Sequence, residues 1–478
     1  MFNRGKVGVI CPLDIVSPHE LANHCFSGEF WQIHPMATES NNLQSNFMKI
    51  LFEQSQWFTC LWTMLLCLPA PLIALAQSSL ESTSQLPAST EIDQANTGAI
   101  ARIGFAEPPN ILWQQGDGDS WWGGMAVHDG VVVAIERNRK AIMAFNAVTG
   151  ERLWEHQAGK FDYGMGIIMT CDPDFDAVIL GGDLGISAWN RKSGEKLWEH
   201  LTDTGVDAPT IAAGLVIAGG SDGNVHAVDL KTGAAKWKHD FMADAPEDPE
   251  GFDGRRARFE GRPARPQEAS TDGETVFLSI FDQCRTLAID VQTGKRRWTF
   301  QSKGWMGSRP TVSADAVYVG SQDRHFYAID KQTGQELWNI ETGSWNSASP
   351  AITEKYVVFG SNDGKVYAVL RGMGSTVWEY DTTDGGKTRG SIYCRPLVSE
   401  GVVYLPTMAG TLHAIDLETG KQKWRLTPSA GAQISSQLHF DQGRMYLFTR
   451  KGDGKDGQPR GEAAIYAIGE DNSNERNR

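Results

Sequence analysis

Ala288-Ile-Asp-Val-Gln-Thr-Gly-Lys-Arg-Arg-Trp298 returns forty residues later as Ala328-Ile-Asp-Lys-Gln-Thr-Gly-Gln-Glu-Leu-Trp338. Reading outward from this pair, a glycine followed four positions on by tryptophan occurs seven times: Gly150/Trp154, Gly194/Trp198, Gly233/Trp237, Gly294/Trp298, Gly334/Trp338, Gly374/Trp378 and Gly420/Trp424. The Trp spacings are 44, 39, 61, 40, 40 and 46, and Trp113, 41 residues before Trp154, is an eighth member of the series. A period near forty built from strand-like segments predicts propeller blades of about four strands each.

Each unit divides into strands by composition. Val317-Tyr-Val and Val357-Val-Phe are short β-branched or aromatic runs. They lead into Gly-Ser-Gln-Asp-Arg (320–324) and Gly-Ser-Asn-Asp-Gly (360–364), which have turn chemistry. Phe326-Tyr-Ala-Ile-Asp330 and Val366-Tyr-Ala-Val then resume the strand. Asp-x-x-Thr-Gly follows at 229–233, 290–294, 330–334 and 416–420, where Asp accepts from turn amides and Gly supplies positive φ. Strands joined by such short turns are antiparallel.

Inner three-strand sets end near Asn146, Asn190, Asp229, Asp290, Asp330, Leu370, Asp416 and Gly469. Eight Trp-bearing outer strands match them in number but are displaced by one: Ile111-Leu-Trp113 precedes every inner set, and Ala463–Ile468 has no Trp strand after it. The arithmetic predicts an all-β, eight-bladed propeller of four-stranded antiparallel blades over 111–470. Its N-terminal strand completes the last blade and removes an open sheet edge. Trp113, Trp154, Trp198, Trp237, Trp298, Trp338, Trp378 and Trp424 are then docking residues that fill the wedges between sheets.

The unit Ala-x-Asp-x-x-Thr-Gly-x-x-x-Trp resembles the tryptophan-docking repeat of quinoprotein (PQQ-like) β-propellers. The sixth copy departs from it, with Leu370-Arg-Gly-Met-Gly374 in place of Asp-x-x-Thr-Gly. Within that family, the size and the lack of other domains are most similar to BamB-type outer-membrane protein assembly factors. That resemblance implies a scaffold whose partners are the β-barrel assembly machinery and its outer-membrane clients. Resemblance to the family's alcohol dehydrogenases would instead imply a quinone (PQQ) between a Trp and a vicinal disulfide, with Ca²⁺ held by Glu, Asn and Asp.

The rest of the chain frames this ring. Residues 1–47 show no hydrophobic periodicity and read as an extension ahead of the true start. From Met48-Lys49 the order is charge, an apolar run from Trp57 to Leu68, Pro69-Ala70-Pro71, and Ala74-Leu75-Ala76. That is a secretory signal (48–76) cleaved after Ala76, the alternative being an uncleaved anchor. Residues 77–110 form a Ser/Thr/Gln-rich spacer and 471–478 a polar tail. The 44 basic and 58 acidic residues leave a net charge of −14, the opposite of a nucleic-acid binder. Seven scattered Cys without a CxxC argue against a zinc module or a thioredoxin-type site.

Catalytic signatures are missing. There is no HExxH, no Gly-x-Ser-x-Gly elbow in the repeat region and no Cys-Cys pair, and the Asp-rich spots such as Ser221-Asp222-Gly223 recur at hairpin positions. We expect no catalytic or metal residue and no resident cofactor.

The least repetitive face is the one carrying the loops from an outer strand to the next inner strand. It collects Trp121, Trp122, Phe161, Tyr163, Trp305, Arg309, Trp345, Tyr393 and Arg395, residue types enriched at interface hot spots. The 61-residue spacing holds an insertion with an acidic half (244–253) and a basic half (255–265), and the last blade a smaller one, 451–462.

Together these readings describe an exported, non-catalytic envelope scaffold in the periplasm or at the outer membrane. It is expected to be a monomer within a complex, touching the membrane only peripherally. A PQQ-dependent dehydrogenase and a carbohydrate- or peptide-binding surface propeller are the alternatives.

Overall fold

Seven four-stranded antiparallel sheets follow one another along the chain, and an eighth is shared between its two ends. The structure is a computed structural model. It describes residues 105–470 apart from 120–121, 158–165, 171, 173, 244–265, 384, 386–389 and 453–460. The extension, the signal and most of the spacer lie outside the described residues. So do the polar tail, the long insertion, Trp121, Phe161 and Tyr163.

Blade 1 consists of Trp122–His128, Val131–Glu136, Ala141–Asn146 and Arg152–Gln157. Blades 2 to 7 repeat this order, with outer strands Lys196–Leu201, Ala235–Asp240, Arg296–Gln301, Glu336–Glu341, Thr376–Asp381 and Gln422–Leu426. Blade 8 has Gln433–Ile434 and His439–Asp441 on its inner edge, both paired with Arg444–Arg450, followed by Ala463–Gly469. Its outer strand is Asn110–Gly118, running antiparallel to Ala463–Gly469 with Ile111 opposite Ile468, Trp113 opposite Ala467 and Gln115 opposite Ile465. The ring is an eight-bladed β-propeller closed by its N-terminal strand. The third strands end at Asn146, Asn190, Asp229, Asp290, Asp330, Leu370, Asp416 and Gly469, where the repeat count put them.

The ring has no single core. Its buried apolar residues fall into eight clusters, and each cluster takes residues from two neighbouring blades. In Leu215–Gly219 the alternation is plain: Val216 and Ala218 pack toward blade 2, Leu215 and Ile217 toward blade 4. A strand buried on both faces reads as a continuous apolar run rather than an alternating one.

Each seam is fastened in the same way. The indole Nε1 of each docking Trp donates to a main-chain carbonyl of the next blade at 2.8–3.0 Å. In chain order from Trp113 the acceptors are Ala147, Arg191, Leu230, Val291, Lys331, Arg371, Leu417 and Phe105. Trp198, Trp298, Trp378 and Trp424 are buried; Trp113, Trp154, Trp237 and Trp338 keep an edge in solvent. The first seven acceptors sit one residue past the end of a third strand. At the eighth seam the chain has come full circle, and Phe105, ahead of the first strand, supplies the carbonyl. Its amide donates to the Tyr404 hydroxyl at 2.8 Å, so the closure has two ties beyond the strand pairing.

The recurring Asp of the turn behaves as its chemistry requires. Asp330 accepts from the amides of Gln332 and Thr333 and from the Thr333 hydroxyl. Asp290 does the same with Thr293, and the neighbouring Arg297 helps hold its carboxyl down at about 2. The Asp of the middle hairpin is structural as well: Asp363 takes the Tyr367 hydroxyl at 2.6 Å and the Lys365 and Gly343 amides at 2.9 Å. Cys284 and Cys394 are buried. Among the described residues no helix is long and apolar enough to cross a membrane.

Candidate functional site

First strands of neighbouring blades lie side by side around the ring, so the loops that feed them open toward its axis. These are the loops that join an outer strand to the next inner strand. They share their face with the hairpins between the two middle strands: the Gln322 amide donates to the Trp305 carbonyl, and the Asn362 amide to the Trp345 carbonyl, each at 2.8 Å. A cavity of about 210 Å³ opens here, lined by residues of six successive blades. Because six blades contribute, it lies on the axis.

The lining is almost wholly polar. Asp207 comes from blade 3, Gln267 and Glu268 from blade 4, Arg309 from blade 5, Ser347 and Ser349 from blade 6, Tyr393 and Arg395 from blade 7, and Gln437 from blade 8. Most stand within three residues of a proline that opens a first strand: Pro209, Pro310, Pro350 and Pro396. Proline fixes φ and has no N–H to lose, so it sets the direction of the preceding residues as they turn into the ring.

Charges of both signs meet in this space. Arg309 places Nη1 3.2 Å from Glu268 Oε2, and its Nε donates to the Ser270 hydroxyl at 3.0 Å. Asp207 is half-buried and lines the cavity. Burial, and next the charge of Glu268, push its carboxyl up to about 7, against the opposing pull of Arg309. Across the cavity Arg395 is buried, and its amide donates to Gln437 Oε1 at 2.8 Å. Behind it His439 is held neutral: burial, with the Arg395 charge adding to it, lowers the imidazole to about 3. The Ser347 hydroxyl oxygen is buried and has no hydrogen-bond partner among the described residues.

The predicted face therefore divides. Arg309, Tyr393 and Arg395 converge on one cavity. Trp345 (39% exposed) and Tyr393 (48% exposed) stand out from the surface. Trp305 turns aside and packs on Phe281 with ring centroids 5.0 Å apart. Trp122 opens the first strand of blade 1. Asp207, Glu268 and Gln437 were missed by sequence reading, and only Asp207, two residues before Pro209, carries the proline signal that marks Arg309 and Arg395.

Comparison with known proteins fits this ring. A family model described as outer membrane protein assembly factor BamB matches residues 103–267 and 253–395, more than half of the chain. The chain belongs to the quinoprotein-like β-propeller family. A second model of that family, the β-propeller domain of glucose, ethanol and alcohol dehydrogenases, matches residues 373–468.

Solved quinoprotein-like propellers give the same picture at low identity. BamB from Moraxella catarrhalis is 17% identical with a TM-score of 0.56, over 75% of this chain and 97% of that one. A europium-containing methanol dehydrogenase is 13% identical with a TM-score of 0.61, over 80% and 98%. The quinohemoprotein alcohol dehydrogenase from Comamonas testosteroni is 14% identical with a TM-score of 0.62, over 80% of each chain. At such identities the likeness is one of fold. No curated protein matches the sequence.

Proposed function

We propose that this propeller is a non-catalytic scaffold of the cell envelope, exported to the periplasmic side and engaging partner proteins through its axial face, in the manner of an outer-membrane protein assembly factor. The observation that carries the reading is the make-up of that face: an exposed Trp345 and Tyr393 beside a rigid, charge-paired polar cavity. Aromatic anchors flanked by arginine are the composition of interface hot spots. The assembly-factor model, which spans most of the ring, supports it.

A quinone and a hard cation do not fit the residues present. The chain has no adjacent Cys pair. Among the described residues no three His, Cys, Asp or Glu side chains converge as metal donors. The cavity's two carboxylates share their space with a guanidinium, which offers only donors.

The test is co-purification with the barrel-assembly core subunit from envelope membranes, comparing the wild type with Trp345→Ala/Tyr393→Ala. The wild type is expected to retain the subunit. The double variant should weaken retention at least tenfold (about 1.4 kcal/mol) with an unchanged melting temperature. Equal retention would move the interface off this face, and no retention by the wild type would reject the partner. Alcohol-dependent dye reduction after adding PQQ and Ca²⁺ would make the protein an enzyme instead.

A further inference from the structure

Two carboxylates from neighbouring blades, Asp207 and Glu268, line one axial cavity and repel each other. Like charges in a shared, partly desolvated space need a cation, or one of them takes up a proton. The cation here is part of the chain. Arg309 reaches Glu268 with Nη1 at 3.2 Å, and its Nε is held by the Ser270 hydroxyl at 3.0 Å. Its main-chain carbonyl accepts from the Ser349 hydroxyl at 2.9 Å, and only 10% of its side chain is exposed. Two guanidinium contacts and one main-chain bond hold this residue in place.

We propose that Arg309 is the resident cation on the Asp207–Glu268 side of the axial cavity, and that it closes that side to divalent and trivalent ions which the remaining oxygen groups would otherwise hold. A metal ion entering beside Glu268 would meet a fixed positive charge. Displacing Arg309 would strand a largely buried guanidinium without its counter-ion. With Arg309 removed, that side of the cavity would present the carboxylates of Asp207 and Glu268, the amide oxygen of Gln267, and the Ser347 hydroxyl, which has no hydrogen-bond partner among the described residues, while Arg395 stays across the cavity beside Gln437. Hard cations take oxygen donor sets of this kind. The proposal concerns the cavity alone and does not depend on which protein the scaffold binds.

Terbium(III) is the probe, read by emission sensitised through the nearby Tyr393 and by the shift in melting temperature at pH 7. The wild type is expected to show no stoichiometric site that Glu268→Gln abolishes. Arg309→Gln should gain one site at least tenfold tighter than any in the wild type, and the gain should disappear in Arg309→Gln/Glu268→Gln. Arg309→Lys, which keeps the charge, should gain none.

A stoichiometric wild-type site lost in folded Glu268→Gln would overturn the proposal, and that measurement stands even if Arg309→Gln fails to fold. A folded Arg309→Gln with no gain, or an equal gain in Arg309→Lys, would overturn it as well.

Discussion

Gly334 has a backbone φ of 74°, and a Cβ built on it would lie 2.7 Å from the Trp298 ring. Two independent constraints, left-handed backbone and an indole pressed against Cα, exclude every side chain at this position. The same holds at the other six turns, where φ is 67–73° and the indole approaches to 2.6–2.8 Å. The aspartate four residues earlier is under weaker demand. Leu370 replaces it in blade 6, yet Gly374 keeps its φ of 68° and Trp338 still donates to the Arg371 carbonyl at 3.0 Å. Gly334→Ala should therefore destabilise by about 2–4 kcal/mol, and Trp298→Ala by about 3–5 kcal/mol. Asp330→Ala should cost only about 1 kcal/mol. Chemical denaturation of the three variants checks the order; a glycine variant as stable as the aspartate variant would contradict it.

At the scale of the element, the strand Asn110–Gly118 differs from every other outer strand. It arrives from the opposite end of the chain, and it carries two register shifts, between Ile111 and Trp113 and between Gln115 and Gly118, where each of the other outer strands carries one. It performs two tasks: it covers the edge of Ala463–Gly469 and delivers Trp113 to the Ala147 carbonyl of blade 1. Cutting the chain before residue 119 leaves blade 8 with an unpaired apolar edge and opens the seams on both of its sides. We expect the truncated protein to lose its single cooperative melting transition and to self-associate, as read by calorimetry and size-exclusion chromatography. A monomer melting like the full chain would show that the closing strand is dispensable. Trp113 had marked this strand in advance. The Phe105 carbonyl could not be read from sequence, because nothing local distinguishes a main-chain acceptor 319 residues from its indole.

For the whole molecule, two strongly shifted groups make stability depend on pH: half-buried Asp207 in the cavity and buried His439 behind Arg395. Asp207 is pushed up to about 7, so between its ordinary value and pH 7 the folded state binds more protons than the unfolded state, and stability falls as pH rises. His439 is lowered to about 3, so between pH 6.5 and 3 the unfolded state binds more protons, and stability falls as pH drops. From about pH 4 to 6.5 the two slopes oppose each other. Asp207→Asn removes one of them. Its melting temperature should gain on the wild type progressively from pH 4 to 7 and hold a constant lead above pH 8. A pH-independent difference would mean that Asp207 titrates normally.

Blade number, strand order, closure and the docking indoles were legible in the sequence, since each blade repeats the same local solution: a turn that demands Asp and Gly, followed by an indole that demands a seam. That Arg309 and Arg395 lie on the least repetitive face was legible as well. What they face was not. Asp207, Glu268, Arg309, Arg395 and Gln437 belong to five blades, and no local pattern relates them. Only closing the ring brings five loops to one axis, and the low dielectric and mutual fields of that enclosure decide which carboxyl holds a proton and which cation the cavity keeps.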